Sequence, residues 1–218
     1  MGQFFGKIDV ATPPYSVQPC PGTCSGFELR QYEPQVHASV SYVPGSKDEN
    51  SSFMTLASYI GVFGTPKNEV WCEKDQQMEP EAVAMTAPVV SSGAASTGAV
   101  TVERTAALRG YTAADGMVTA GEQSMTFILP TKYDIDTAPK PLDEKVTLSA
   151  EPGRLLAVKS FRGNTDQKTA APKAEDFVKE LQAEGFTVLG DWELARYNPP
   201  FTVPALKTNE IWVEVSHN

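Results

Sequence analysis

The chain has 218 residues, 41% of them hydrophobic and 21% charged, which suits a soluble globular protein with a core of its own. Its 18 basic and 27 acidic side chains leave a net charge of −9, a poor match to nucleic acid phosphates or to an anionic membrane surface. Two histidines exclude mechanisms that need two ordered imidazoles, because His217 is the penultimate residue, and three cysteines are too few and too odd for a disulfide framework.

The N-terminus shows no basic region followed by a long apolar run, and no stretch is apolar enough to span a bilayer. Gly6 stands where a myristoylation signal wants Ser or Thr. Reduced thiols and a cytoplasmic location are therefore expected.

Residues 1–26 carry Pro13, Pro14, Pro19 and Pro21 and read as an extended lead-in to a single domain over 27–218. Phe27–Tyr32 and Gln35–Val43 read as strands split by Pro34. In the second, Val36, Ala38, Val40 and Tyr42 face one way, and His37, Ser39 and Ser41 the other. A helix follows, capped by Ser51 or Ser52, with Phe53, Leu56, Ala57 and Ile60 at i, i+3, i+4 and i+7 and a stop at Gly61. Val83–Val90 and Ser124–Leu129 read as further strands. Between them, 21 of the 33 residues of 91–123 are Gly, Ala, Ser or Thr, an insertion in which Val100–Arg104 could pair with Met117–Ala120.

The order then recurs. Lys145–Ala150 and Arg154–Phe161 are strands split by Pro152-Gly153. A helix with Pro172 at its start and the stripe Phe177, Val178, Leu181 ends at Gly185. Phe186–Leu189, Trp192–Tyr197 and Glu210–Val215 complete the second half as strands. Strand–strand–helix–strand–strand, twice, predicts a pseudo-symmetric α+β domain.

Chemistry-bearing motifs are sparse. The chain lacks a Gly-rich phosphate loop, a Gly-x-Ser-x-Gly elbow and a His-Glu-x-x-His helix. Catalytic residues are accordingly expected to be none. A nucleophile needs a base, and Cys72 has only His37 to turn to, so an idle thiol is the plainer expectation. Cys20 and Cys24 have metal-ligand spacing, and Cys72 with His37 would complete four ligands. The second pair is scattered, which favours ordinary loop cysteines and no metal. His37, opposite the apolar face of its strand, is expected to face solvent, with an axial-ligand role as the alternative. Glu210 and Glu214 flank Trp212 on one strand face; if that face is an inner one, Glu210 needs a partner or a raised pKa. Residues 195–204, with three prolines and two aromatics, form a stiff apolar loop that could stop an edge or wall a ligand cleft.

Several stretches together resemble the SOUL heme-binding family, most closely its cytosolic plant and algal members. They are Phe5-Gly-Lys-Ile8 with Thr12-Pro-Pro-Tyr15, Phe27-Glu-Leu-Arg-Gln-Tyr-Glu-Pro34, Tyr59-Ile-Gly-Val-Phe-Gly64 and Ala84-Met-Thr-Ala-Pro-Val89. Ser124-Met-Thr-Phe-Ile-Leu-Pro130, Ala195-Arg-Tyr-Asn-Pro-Pro-Phe201 and Asn209-Glu-Ile-Trp212 complete the set, in family order. The resemblance implies a SOUL and GyrI-like fold: a distorted antiparallel β-barrel with two helices, built from two pseudo-symmetric halves. It implies non-covalent binding of heme or another tetrapyrrole, as carrier or buffer, in a cleft outside the barrel between the first helix and the loop before the last strand. Phe53, Met54, Ala57, Ile60, Met85, Tyr197, Phe201 and Lys207 would line that cleft, with His37 as a weak axial-ligand candidate. Related bacterial multidrug-sensing domains bind aromatic cations, some with a buried Glu where Glu210 falls. Two departures stand out. Gln31 occupies the position of the axial His of some animal members, and no Lys or Arg lies between Glu49 and Gly64 to pair with propionates. They leave a hydrophobic small-molecule sensor or interaction module as the alternative function.

Overall fold

The computed structural model describes residues 6–22, 24–43, 48–93 and 123–217. In chain order the strands are β1 (Tyr15–Gln18), β2 (Glu28–Tyr32) and β3 (Gln35–Tyr42), then helix α1 (Asp48–Ile60). Next come β4 (Asn68–Cys72), β5 (Gln77–Glu79), β6 (Val89–Ser92), β7 (Gln123–Ile128), β8 (Lys140–Pro141), β9 (Thr147–Glu151) and β10 (Leu155–Arg162). Helix α2 (Gln167–Ala183) is followed by β11 (Thr187–Val188), β12 (Glu193–Arg196) and β13 (Thr208–Ser216).

The main sheet is antiparallel, in the order β1-β2-β10-β13-β12-β6-β7-β3-β9, with β11 added beside β13. Leaving out β1 and β11, the order is the same from either end once each strand is exchanged for its counterpart in the other half. Thus β2 matches β9, β10 matches β3, β13 matches β7 and β12 matches β6, and the two halves meet where β12 pairs with β6. The first strand of each half has crossed over: β2 pairs with β10 of the second half, and β9 with β3 of the first.

The sheet curls into a half-barrel with one helix on the outside of each half. Val36, Ala38 and Val40 of β3, with Met125 and Phe127 of β7, pack against Leu56, Tyr59 and Ile60 of α1. Ala157 of β10, with Ile211, Val213 and Val215 of β13, packs against Ala174, Phe177 and Leu181 of α2. The alternate residues turn inward, where Tyr32, Val90, Ile128, Leu156, Val158, Ala195 and Trp212 form a third cluster. A separate small sheet of β5, β4 and β8 is tied to α1 by Asn68, whose Nδ2 donates to the Tyr59 carbonyl at 2.7 Å.

Several expectations change. Helix α1 begins at Asp48, so Ser51 and Ser52 lie within it rather than at its cap. Helix α2 begins after Asp166, which forms a capping box with Thr169, and Pro172 lies inside the helix. Its ring falls on the exposed face, where the Lys168 carbonyl that it leaves without a helical donor can be hydrated. The expected strand over 83–90 gives way to β6, which starts only after Pro88, a residue with no N–H to give a ladder, and runs on to Ser92. The segment read as a lead-in supplies β1, which pairs with β2 along its length. Cys20 and Cys24 are joined as a disulfide, contrary to the expectation of reduced thiols, while Cys72 is a thiol. The hairpin expected over 100–120 falls outside the described residues. Among the described residues, no helix is long and apolar enough to cross a membrane.

Candidate functional site

The inward face of the second half carries a carboxylate almost out of reach of water. Along β13, Ile211 and Val213 face α2, which turns Glu210, Trp212 and Glu214 the other way. Glu210 is only 4% exposed. Its Oε1 accepts from Ser160 Oγ at 3.1 Å and lies 3.0 Å from Arg30 Nη1. Its Oε2 accepts from Tyr197 Oη at 2.7 Å, from Trp212 Nε1 at 2.8 Å and from Arg30 Nη1 at 3.1 Å. Four donor groups fill the lone-pair sites of this carboxylate, so it has no valence left for a metal or a cationic ligand.

Arg30 is held in turn. Its Nη2 meets Glu28 at 2.8 Å, and its guanidinium lies 4.5 Å from the Tyr15 ring centroid. Burial opposes its charge, but the hydrogen bond to Tyr32, the charge of Glu210 and the hydrogen bond to Glu28 raise its pKa. Burial pushes Tyr32 up to about 12. Tyr197 goes higher still, through burial first and the neighbouring Glu210 charge second. Arg30 therefore stays charged and Tyr32 and Tyr197 stay protonated across the physiological range.

Beside it lies a cavity of about 200 Å³, walled by Arg30, Tyr32, Tyr197 and Glu210 and roofed by Ile8, Pro13 and Tyr15. This is below the roughly 300–1,000 Å³ of ordinary ligand pockets, so a macrocycle cannot enter it. The roof is a strap formed by residues 6–18. Gly6 O accepts from Asn198 Nδ2 at 3.4 Å, Ala11 O accepts from Ala87 N at 2.9 Å, and β1 follows. Gly6 has a φ of +76°, and a Cβ there would lie 2.5 Å from the Leu206 carbonyl, so strap and loop meet too closely for a larger residue.

The residues assigned to an outer cleft divide into two groups. Ala57 and Ile60 are buried in the α1 core, and Phe53 packs edge-on against Phe127 at 5.6 Å. The helical stripe that singled them out is the stripe the core uses, which buries Ala57 and Ile60 and leaves Phe53 half-buried at its edge. Met54, Met85 and Phe201 are exposed, Phe201 by 58%; Val203, in the loop expected to wall a cleft, adds apolar surface, as do Val62, Phe63 and Leu206, which are not among the expected residues. Arg196 Nη1 reaches Glu49 at 3.4 Å, tying the start of α1 to the strand that leads into the Pro-rich loop. Lys207 Nζ donates to Asn164 Oδ1 at 2.9 Å and to the Pro200 carbonyl at 2.8 Å, so it braces that loop. Tyr197 turns inward to Glu210.

His37 does not face solvent. It is 7% exposed, and its Nε2 donates to Gln35 Oε1 at 3.1 Å. Its strand lies between β7 and β9, and the far side of an inward-curling sheet is interior, not surface. The suggested Cys20, Cys24, Cys72, His37 quartet is not assembled: Cys72 sits on β4 with Asp75 and Glu79. Arg30, the partner that Glu210 required, went unnoticed because 180 residues separate the two and no local pattern joins them.

A model of the SOUL heme-binding protein family matches residues 10–214. No curated protein is detectably similar in sequence. Among solved structures, the C-terminal domain of EcmrR is 9% identical, covering 94% of this chain and 99% of its own at a TM-score of 0.50. An uncharacterized conserved protein from Listeria innocua is 9% identical, covering 87% and 92% at 0.53. A hydrolase from Listeria innocua is 10% identical, covering 87% and 91% at 0.50. At these identities the likeness shows the fold alone.

Proposed function

The chain belongs to the SOUL heme-binding protein family, and from that premise we propose that it binds a tetrapyrrole non-covalently on its outer apolar surface, as a carrier or buffer and not as an enzyme. The family match carries the reading. The exposed Met54 of α1, Met85 in the segment before β6 and Phe201 in the Pro-rich loop support it. Kinship with plant and algal members is part of the same proposal. Burying roughly 300–400 Å² of apolar surface at about 25 cal/mol per Å² gives micromolar affinity without an iron–protein bond. Such a bond is not part of the reading, since the His37 ring is buried and engaged by Gln35. Turnover is not part of it either, since the buried carboxylate is saturated and the Cys72 thiol is paired with Asp75 at 3.4 Å.

A hemin titration followed by the Soret band and by tryptophan quenching tests this. Saturation at micromolar hemin is expected; a linear, non-saturating response rejects the proposal. A second reading, a hydrophobic small-molecule sensor that binds heme incidentally, rests on the absence of Lys and Arg from α1. It predicts equal affinity for metal-free protoporphyrin, and a strong preference for the iron porphyrin would count against it.

A further inference from the structure

The connection between β1 and β2 closes on itself through the Cys20–Cys24 disulfide, whose Cα atoms are 5.9 Å apart. Both cysteines are half-buried at the rim of the cluster formed by Phe27, Phe177, Leu181 and Phe186. Helix α2 ends at this spot. Its C-cap is Glu184, and a carboxylate oxygen of Glu184 and the two sulfurs lie within 4.8 Å of one another. The last turn of α2 contains no basic residue. The negative end of the helix dipole therefore coincides with an acidic side chain, where a cation is normally found.

Two sulfurs, a carboxylate and a helix C-terminus converging on one point make a cation site as soon as the S–S bond opens. We propose that the reduced protein binds one thiophilic d¹⁰ ion of the Zn²⁺ class through Cys20 Sγ, Cys24 Sγ and the Glu184 carboxylate. A dithiol reductant supplies two electrons and two protons to the S–S bond and leaves as its own cyclic disulfide. The ion then displaces both thiol protons to solvent and forms two metal–sulfur bonds and one metal–oxygen bond. Thiolates on a tetrahedral ion stand about 3.8 Å apart, a spacing that a five-residue loop already closed at 5.9 Å between Cα atoms can reach. Disulfide and metal exclude each other, so occupancy reports the redox state of the loop. The site uses none of the residues assigned to tetrapyrrole binding and stands or falls apart from that reading.

The test is a Cd²⁺ titration of the phosphine-reduced, desalted protein under argon, read by thiolate-to-metal charge-transfer absorbance, with Zn²⁺ then competing against a chromophoric chelator. One equivalent is expected for the reduced protein and none for the oxidised protein. Cys20→Ser should abolish the band, Glu184→Gln should weaken binding at least roughly tenfold, and Cys72→Ser should leave it intact, with folding of each variant checked by circular dichroism. A reduced protein without the band overturns the proposal. So does a band that survives Cys20→Ser and vanishes in Cys72→Ser, which would place the ion with Cys72, Asp75 and Glu79. Unchanged affinity in Glu184→Gln overturns the three-ligand set.

Discussion

Arg30 and Glu210 form a buried pair whose two members depend on each other more than the fold depends on the pair. Arg30→Ala strands a carboxylate that has only neutral donors left, and the expected loss is about 3–5 kcal/mol in urea unfolding. Arg30→Met with Glu210→Leu should recover most of that loss, because no buried charge then lacks a partner; a double variant as unstable as the single one would show that the pair itself holds the sheet together. The tyrosines respond at the other end of the pH scale. Tyr32 is raised from its ordinary value of 10 to about 12, and Tyr197 further, so the folded state holds protons that the unfolded chain releases. Stability from these groups is complete below pH 10 and falls above it, the Tyr32 share being lost as pH rises through 12 and the Tyr197 share beyond that. Absorbance of tyrosinate should thus appear together with loss of ellipticity, and Tyr197→Phe should lessen the loss.

At the scale of elements, apolar periodicity revealed both helices and most strands, since burial of one face is written into the order of residues. Boundaries were less legible. The Asp166–Thr169 capping box starts α2 earlier than Pro172 suggested, and Asp166→Ala should cost about 1 kcal/mol in urea unfolding. Strand β1 was missed because its residues are mostly exposed and it is held by β2, not by an apolar stripe of its own. The same burial rule picks out Phe53, Ala57 and Ile60, which α1 turns toward its core, Ala57 and Ile60 fully and Phe53 in part. Phe53→Asp should lower stability by more than 1 kcal/mol, so its effect on hemin will be confounded with unfolding. Met54→Asp and Phe201→Asp, both at exposed positions, should leave the urea midpoint nearly unchanged while weakening hemin several-fold. His37→Ala should change stability but barely alter hemin affinity; loss of hemin in that variant alone would restore the axial-ligand idea.

At the scale of the whole molecule, the repeated order of elements predicted two halves, and the sheet confirms them with a symmetry that can be read from either end. What no repeat could disclose is which strand neighbours which, and this is why the Arg30–Glu210 contact, made by strands two places apart with β10 between them, stayed hidden. Because β2 and β9 have each crossed to the opposite half, fragments 1–141 and 142–218 should each be unfolded alone by circular dichroism and regain structure when mixed; a folded single fragment would contradict the exchange. The crossing also sets a timetable for synthesis. Leu29 leaves the ribosome long before its partner Ala157, and at roughly 5–20 residues per second β2 waits on the order of ten seconds with its edge unsatisfied. Strand β9 meets the opposite situation, since β3 is already made when it emerges. The nascent chain is therefore most exposed to misassociation through the β10-facing edge of β2, and chaperone dependence should fall when translation is slowed after β10 instead of before it.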